Sequence, residues 1–149
     1  MTSLQQRWNR FVLPGVALIV VSLCAGCGSQ GIKLYKVTGT VTVDGEPLSS
    51  AGVAFHPDAT QGNQLDLLPA ASTDADGKYE LITTTRKGAP LGWYKVVVVP
   101  YRPAPGRGEP RAGKRPPFHT RYSNVETSNL LIEVMASPAP NAYDLHLSK

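Results

Sequence analysis

Cysteine is scarce in this chain. Cys24 and Cys27 are the two cysteines among 149 residues, and both lie near the N-terminus. The residues after Cys27 therefore provide neither a disulfide framework nor a cysteine-based metal site. A Cys-x-x-Cys redox motif is expected beside a βαβ pattern, and no such pattern follows this pair. A domain formed by the later residues must be stabilised by its own core.

Charge is also low and nearly balanced. The chain has 15 basic and 11 acidic residues, a formal net charge of +4 at pH 7. Arg7 and Arg10 belong to the N-terminal segment, and without them 13 basic residues stand against 11 acidic ones, a net charge of +2. Nucleic-acid-binding domains have a much stronger basic bias, so nucleic acid is not expected as a partner.

The short motifs that identify common enzyme classes are missing. The sequence contains no Gly-x-Ser-x-Gly, no phosphate-binding Gly-x-x-x-x-Gly-Lys-Ser/Thr and no His-Glu-x-x-His. His56, His119 and His146 lie on different segments without the short spacing of a metal site, and we interpret them as surface residues. We expect no catalytic residues, no metal and no cofactor.

One apolar run stands out near the N-terminus. Residues 1–10 are basic without an acid, residues 11–23 are almost wholly apolar, and the small residues Ala25 and Gly26 precede Cys27. A basic segment, an apolar segment and a small-residue cleavage site together are typical of a secretory signal.

The stretch Leu23-Cys24-Ala25-Gly26-Cys27 resembles the bacterial lipobox, whose usual form is Leu-Ala-Gly-Cys. Ala25, Gly26 and Cys27 match that form, whereas Cys24 stands where leucine is usual. The resemblance implies cleavage before Cys27, attachment of diacylglycerol to its thiol, and acyl chains such as palmitate in the bilayer. Two acyl chains are enough for stable anchoring. It also implies a location in the cell envelope, on the extracytoplasmic side of a membrane.

Two other interpretations of this segment stay open. Residues 11–27 reach the lower length limit of a spanning helix, so an uncleaved membrane anchor is one alternative. An ordinary secreted protein that keeps a free Cys27 thiol is the other. The favoured division is a signal peptide in residues 1–26, a lipidated cysteine with its tether in residues 27–35, and one folded domain in residues 36–149.

The later residues alternate between apolar and polar side chains, which is typical of β-strands. In residues 37–43 the valines share one face and the threonines the other, and Asp44-Gly45 follows as a hairpin turn. Residues 93–99 are apolar on both faces apart from Lys95, so they are predicted to form the central core strand between two layers. The other strand candidates are residues 53–55, 70–73, 79–83, 130–135 and 142–147.

About seven short strands without helical periodicity after Leu23 predict an all-β fold, an antiparallel β-sandwich. The segments VTGTVTVDGEPLSSAGVAFHP, STDADGKYEL and GAPLGWYKVVVVP resemble the transthyretin-like, or carboxypeptidase-regulatory-like, β-sandwich. The chain also resembles small lipoproteins of planctomycete-type bacteria in the spacing of Tyr122, Thr127, Ser128, Leu130 and Val134.

This resemblance implies a fold more than a function, because such domains serve as adhesion, carbohydrate-binding and structural modules. Hydrolases of the transthyretin-like fold end in Tyr-Arg-Gly-Ser. The present chain ends in His-Leu-Ser-Lys, so their activity is not implied.

Asp74-Ala75-Asp76-Gly77 has two carboxylates spaced as at the start of a calcium loop. The further oxygen ligands that calcium requires do not follow at the expected spacing. We interpret the stretch as a tight turn in which an aspartate accepts hydrogen bonds from its own backbone.

A basic, proline-rich segment in residues 102–117 is the predicted contact loop, with a solvated loop as the alternative. Clustered cations attract acidic polymers and anionic headgroups. Its candidate contact residues are Tyr101, Arg102, Arg107, Arg111, Lys114 and Arg115. Trp93 and Tyr101 are candidates for stacking on sugar rings, although Trp93 is predicted to lie in the core.

The sequence thus predicts a non-enzymatic envelope lipoprotein, a structural or protein-interaction module that acylated Cys27 holds in the bilayer. The alternative is a carbohydrate-binding module of the envelope, and an enzyme ranks third. The expected partner is an envelope protein or polysaccharide.

Overall fold

The computed structural model describes residues 31–100 and 115–149. The compact unit that contains the strands begins at Gly31. The described residues form an all-β fold in which the helical elements are two short 3₁₀ turns, Ala59–Gln61 and Thr120–Ser123. Within these two ranges, no helix has the length and apolar character needed to cross a membrane.

The described residues contain ten strands, seven of which have three or more residues. They are β1 (Thr38–Val43), β2 (Glu46–Pro47), β3 (Ala51–Pro57), β4 (Ala70–Ser72), β5 (Lys78–Glu80), β6 (Ile82–Thr83), β7 (Arg86–Lys87), β8 (Gly92–Pro100), β9 (Leu131–Val134) and β10 (Leu145–Leu147). The seven longer strands agree with the number predicted from the alternating segments.

The strands form two sheets, as a β-sandwich requires. The smaller sheet is organised around β1, which pairs with β2 and β5 in antiparallel orientation and with β10 in parallel orientation. The larger sheet has the order β7-β6-β4-β3-β8-β9, and each strand runs antiparallel to its neighbours. The all-β prediction is confirmed, and the parallel β1–β10 pair is a feature that the sequence did not indicate.

The core lies where the inward faces of the two sheets meet. Val41 and Leu145 from the smaller sheet are almost fully buried, as are Phe55, Tyr94 and Val96 from the larger one. The Phe55 ring lies 5.8 Å from that of Tyr94 and 6.4 Å from that of Tyr79, measured between centroids. Burial of each such side chain stabilises the fold by about 1.5–3 kcal/mol relative to its exposure.

Residues 79–83, predicted as one strand, divide between the two sheets. Lys78–Glu80 pairs with β1, whereas Ile82–Thr83 pairs with β4 and β7. Leu81 between them is fully buried, and its amide donates to the Val37 carbonyl at 3.0 Å. The alternation of buried Tyr79, Leu81 and Thr83 continues through the crossing, so the pattern itself does not reveal it.

Strand β8 lies between β3 and the edge strand β9, and the prediction that both of its faces are buried is wrong for part of the outer face. Tyr94 and Val98 on the inner face have no exposed surface, whereas on the outer face Val97 is 7% exposed and Val99 is 43% exposed. Gly52 lies opposite Val99 on the neighbouring strand β3, and it has no side chain that could cover Val99. An apolar outer face therefore does not require a second packed layer above it.

The two aspartate turns have the geometry that the sequence predicts. Asp44 and Gly45 both have positive φ, 49° and 89°, as a type I′ hairpin turn requires. In the second turn, Asp74 Oδ1 accepts hydrogen bonds from the amides of Asp76 and Lys78 at 2.9 and 2.8 Å. Gly77 has φ 75°, so this stretch is a backbone turn.

Candidate functional site

A polar groove opens where the start of β1, strand β5 and the turn before β10 meet. It encloses about 530 Å³. The polar residues that line it include Thr38, Ser72, Asp74, Lys78, Asn141 and Asp144. Carboxylates, hydroxyls, an amide and an ammonium group therefore face one open surface.

The parallel β1–β10 pair builds one wall of this groove. The residues before β10 run beside the start of β1, and the Thr40 amide donates to Asp144 Oδ1 at 2.8 Å. Gly39 permits this approach, because a Cβ atom there would lie only 2.3 Å from the Tyr143 carbonyl oxygen. Asn141 turns the chain with φ 60° and accepts a hydrogen bond from the Asp144 amide.

Tyr79 forms the floor of the groove. Its side chain is 3% exposed, and its hydroxyl donates to the Tyr143 carbonyl at 2.6 Å. Burial raises the pKa of Tyr79 well above its usual range, and the nearby Asp144 and Tyr143 raise it further. The phenol is therefore a neutral structural donor at physiological pH.

Lys78, which lines the groove, is exposed. Lys78 Nζ lies 3.7 Å from Asp76 Oδ2 in a pair whose side chains are 66% and 76% exposed. Such pairs contribute little to stability because water and salt screen them. No histidine or cysteine of the described residues lines the groove. The arrangement can hydrogen-bond a polar ligand, but it does not place a base beside a nucleophile.

A second, less polar groove of about 390 Å³ adjoins the first, and Thr38 and Asn141 line both. Tyr35 and Met135 contribute to its surface, together with a proline-containing segment, residues 136–140. Lys33 Nζ lies 4.9 Å from the centre of the half-buried Tyr35 ring. This groove adds an aromatic ring to the hydroxyls and carboxylates of the first.

A separate cluster joins the Thr120–Ser123 turn to the residue after β10. Arg121 Nη2 lies 3.1 Å from the Tyr122 hydroxyl and 3.3 Å from Ser148 Oγ. The hydrogen bond with Ser148, and the Arg121 guanidinium, lower the pKa of Tyr122. Tyr122 is only 4% exposed, and the His119 amide donates to the Ser148 carbonyl nearby. These contacts fasten the turn to the end of β10.

Of the predicted anchor and contact residues, the structure describes Arg115 alone, and Arg115 lines neither groove. Arg115 is exposed and lies at the start of the second described range. The remaining predicted residues, Cys27, Tyr101, Arg102, Arg107, Arg111 and Lys114, lie outside the described residues. Their predicted roles therefore stay predictions.

Trp93 is half-buried on the outer side of β8, so its prediction as a core residue is wrong. Its carbonyl accepts hydrogen bonds from the Asp58 amide and from Asn63 Nδ2, both at 3.0 Å. His119 caps the Thr120–Ser123 turn, and His146 Nδ1 lies 3.0 Å from Thr42 Oγ1. In residues 31–100 and 115–149, no three His, Cys, Asp or Glu side chains are grouped to hold a metal ion.

The groove residues Tyr35, Thr38, Asn141 and Asp144 escaped the sequence reasoning. Asp144 does occupy an outward position in the alternation of residues 142–147. That signal places Asp144 on a polar face but does not say which strand lies beside it. Only the pairing of β10 with β1 brings Asp144 next to Thr40, 104 residues away in sequence.

Comparison of the chain with protein-family models, with curated proteins and with solved structures finds no match. The likeness to the transthyretin-like sandwich therefore rests on the quoted segments alone.

Proposed function

We propose that this chain is a lipid-anchored lipoprotein of a bacterial cell envelope, and that its β-sandwich is a non-enzymatic interaction module. The observation that carries the proposal is the order of features along the chain. A signal-type segment ends in Ala25-Gly26-Cys27, and the compact unit begins at Gly31, four residues after the cysteine. Acylation of Cys27 would thus leave every strand of the sandwich intact.

The grooves offer a polar surface for binding. Asp74, Asp144 and Tyr79 each use an oxygen to hold a backbone turn or strand. These hydrogen bonds fix the positions of the three side chains. They hold a fixed polar surface, which suits recognition of a partner.

The anchoring part of the proposal is tested by the intact mass of the protein extracted from membranes in detergent. We expect a chain that begins at Cys27 and carries the additional mass of acyl chains. Cys27→Ser should abolish both the cleavage and the added mass. The matched control Cys24→Leu, which restores the usual lipobox leucine, should keep both. A full-length mass, or a cleaved chain without acyl groups, would overturn the proposal.

A carbohydrate-binding module is the second candidate, and the Tyr35 ring beside the polar groove favours it. Sugars are bound by hydrogen bonds to their hydroxyls and by apolar contact with aromatic rings. On this alternative, Tyr35→Leu and Asn141→Gly should each abolish binding on a glycan array, whereas Glu133→Gln, outside both grooves, should not. Asn141→Gly suits this test because glycine accepts the positive φ of Asn141. Absence of glycan binding by the folded chain would leave the protein-interaction module.

A further inference from the structure

An exposed basic surface lies where the folded unit begins, and we call it the tether-end patch. Its residues share exposure and either a positive charge or an aliphatic side chain: Ile32, Lys33, Lys36, Ile82, Arg86 and Lys87. Ile32 is 43% exposed and Ile82 is 45% exposed. The patch therefore presents cations and two isoleucines to solvent.

Contacts between the first described residues and the β6–β7 hairpin bring the patch together. Arg86 Nη2 donates to the Ile32 carbonyl at 2.5 Å. Tyr35 and Ala89 exchange two backbone hydrogen bonds of 2.8 and 2.9 Å. Within the hairpin, Ile82 pairs with Lys87. The patch is thus part of the ordered fold.

The charge of the patch is only partly compensated. Lys87 Nζ lies 2.6 Å from Glu80 Oε2, and this contact, with a smaller effect of Lys36, lowers the pKa of Glu80. Arg86 contacts a backbone carbonyl and Lys33 lies over the Tyr35 ring, and neither contact places an acidic side chain beside these cations. The residues after Cys27 are close to neutral as a whole, so this local excess of cations is a property of one surface.

The patch is close to the proposed anchor along the chain. Gly31 follows Cys27 by four residues, which span at most about 14 Å when fully extended. A tether of this length also allows the patch to approach the membrane surface more closely than the Debye length, about 8 Å at physiological ionic strength, where the attraction is not screened out. Basic side chains beside a lipid anchor strengthen binding to anionic lipids.

We propose that the tether-end patch docks on the anionic headgroups of the membrane that holds Cys27. The cations contact lipid phosphates, and Ile32 and Ile82 reach the interfacial region. The inference rests on the proposed lipid anchor, and it goes further by assigning the face of the sandwich that meets the bilayer. The tether alone would leave the sandwich free to rotate, whereas the patch would hold residues 31–36 and the β6–β7 hairpin towards the membrane.

The test uses the full chain as processed and extracted from membranes, reconstituted into vesicles of phosphatidylcholine with or without phosphatidylglycerol. Hydrogen–deuterium exchange is measured by mass spectrometry. We expect amides in residues 31–36 and 80–91 to exchange several-fold more slowly on the anionic vesicles, and amides in residues 141–149 to be unaffected. High salt should remove the difference because it screens the attraction.

Variants that remove the same number of cations inside and outside the patch distinguish the patch from a general attraction between a basic protein and anionic lipid. Lys33→Gln combined with Lys36→Gln should reduce the protection, and addition of Arg86→Gln and Lys87→Gln should abolish it. The control pair Lys95→Gln and Lys149→Gln removes two cations outside the patch and outside both grooves, and it should leave the protection unchanged. Exchange of the buried strands β3 and β8 reports whether each variant is folded.

The outcomes distinguish this inference from the proposed anchor. The intact mass of the same sample shows whether the chain is acylated. An acylated chain with equal exchange on both kinds of vesicle would overturn the docking surface and leave the anchor standing. Protection that depends on protein concentration instead of lipid charge would mean that a second copy covers the patch, which also overturns it. A chain without acyl groups would overturn the anchor itself.

Discussion

The polar groove and the tether-end patch both present charged side chains, but they use them differently. In the groove, Asp74 and Asp144 accept hydrogen bonds from backbone amides, and buried Tyr79 donates to a carbonyl. In the patch, the one short ion pair joins exposed Lys87 to Glu80, and Arg86 reaches a single carbonyl. The polar groups of the groove therefore stabilise the fold while they shape its surface, whereas the cations of the patch make fewer contacts within the fold.

Substitutions in the two regions should therefore differ in their effects on stability and on binding. Changes in the groove should lower the free energy of unfolding, because they leave buried groups without a partner or force backbone apart. Changes in the patch should leave that free energy nearly constant and act on binding alone. The following predictions test this contrast, beginning with the largest effect.

Gly39→Ala should destabilise the protein most. The new Cβ would lie 2.3 Å from the Tyr143 carbonyl oxygen, so the β1–β10 wall of the groove must move. We expect a loss of about 3 kcal/mol in the free energy of unfolding, measured by chemical denaturation. Gly52→Ala is the matched control in the other sheet, where the nearest atom is the tip of Val99 at 3.1 Å. Equal losses for the two variants would contradict the tight approach at Gly39.

Tyr79→Phe should lower the free energy of unfolding, measured by chemical denaturation, by about 2 kcal/mol. The variant leaves the buried Tyr143 carbonyl without its hydrogen-bond donor. Tyr35→Phe is the control, because it removes a hydroxyl that makes no hydrogen bond within the described residues and should leave the free energy of unfolding nearly unchanged.

The raised pKa of Tyr79 also predicts that the free energy of unfolding decreases at alkaline pH. The pKa of Tyr79 is raised in the folded protein, so its stabilising contribution is complete below the ordinary tyrosine pKa of about 10 and is lost as the pH rises above it. Denaturation curves from neutral pH into this alkaline range should show a smaller decline for Tyr79→Phe than for the parent chain. An unchanged decline would assign the effect to other groups.

Asp144→Ala should lower the free energy of unfolding, measured by chemical denaturation, by about 1 kcal/mol, because the Thr40 amide loses its hydrogen-bond acceptor. Asp144→Asn keeps a carbonyl oxygen at that place and should recover most of the loss. If alanine and asparagine were equally destabilising, the charge of Asp144 and not its hydrogen bond would be responsible.

Lys87→Gln in the patch should have the smallest effect on stability. Its partner Glu80 is a surface carboxylate whose pKa is lowered chiefly by the Lys87 contact. The contribution of this pair is present above the ordinary glutamate pKa and is lost as the pH falls through the lowered value. At neutral pH we expect no measurable change in the denaturation midpoint, because surface pairs are screened. A clear loss would mean that the patch, like the groove, supports the fold.

Much of the fold was accessible from local patterns, and the candidate site was not. The alternating valines of β1 and the Asp74 turn were predictable because they depend on neighbouring residues and on backbone conformations that few residue types adopt. Trp93 was misplaced because apolarity does not say which face of a strand receives a covering layer. The groove was missed because its wall depends on residues 104 positions apart.

By itself, the amino-acid sequence determined which residues adopt an extended backbone, where the chain turns and which side chains of each strand are apolar. Side chains that alternate with a period of two determine the faces of each strand. Glycines such as Gly45 and Gly77 mark the turns because they accept positive φ. Only the tertiary structure decided that residues 78–83 leave one sheet for the other at Leu81, and that β10 lies parallel to β1. Strand alternation is the same whichever partner a strand pairs with. The choice of partner depends on how the whole core packs, and that choice placed Asp144 beside Thr40 and created the groove.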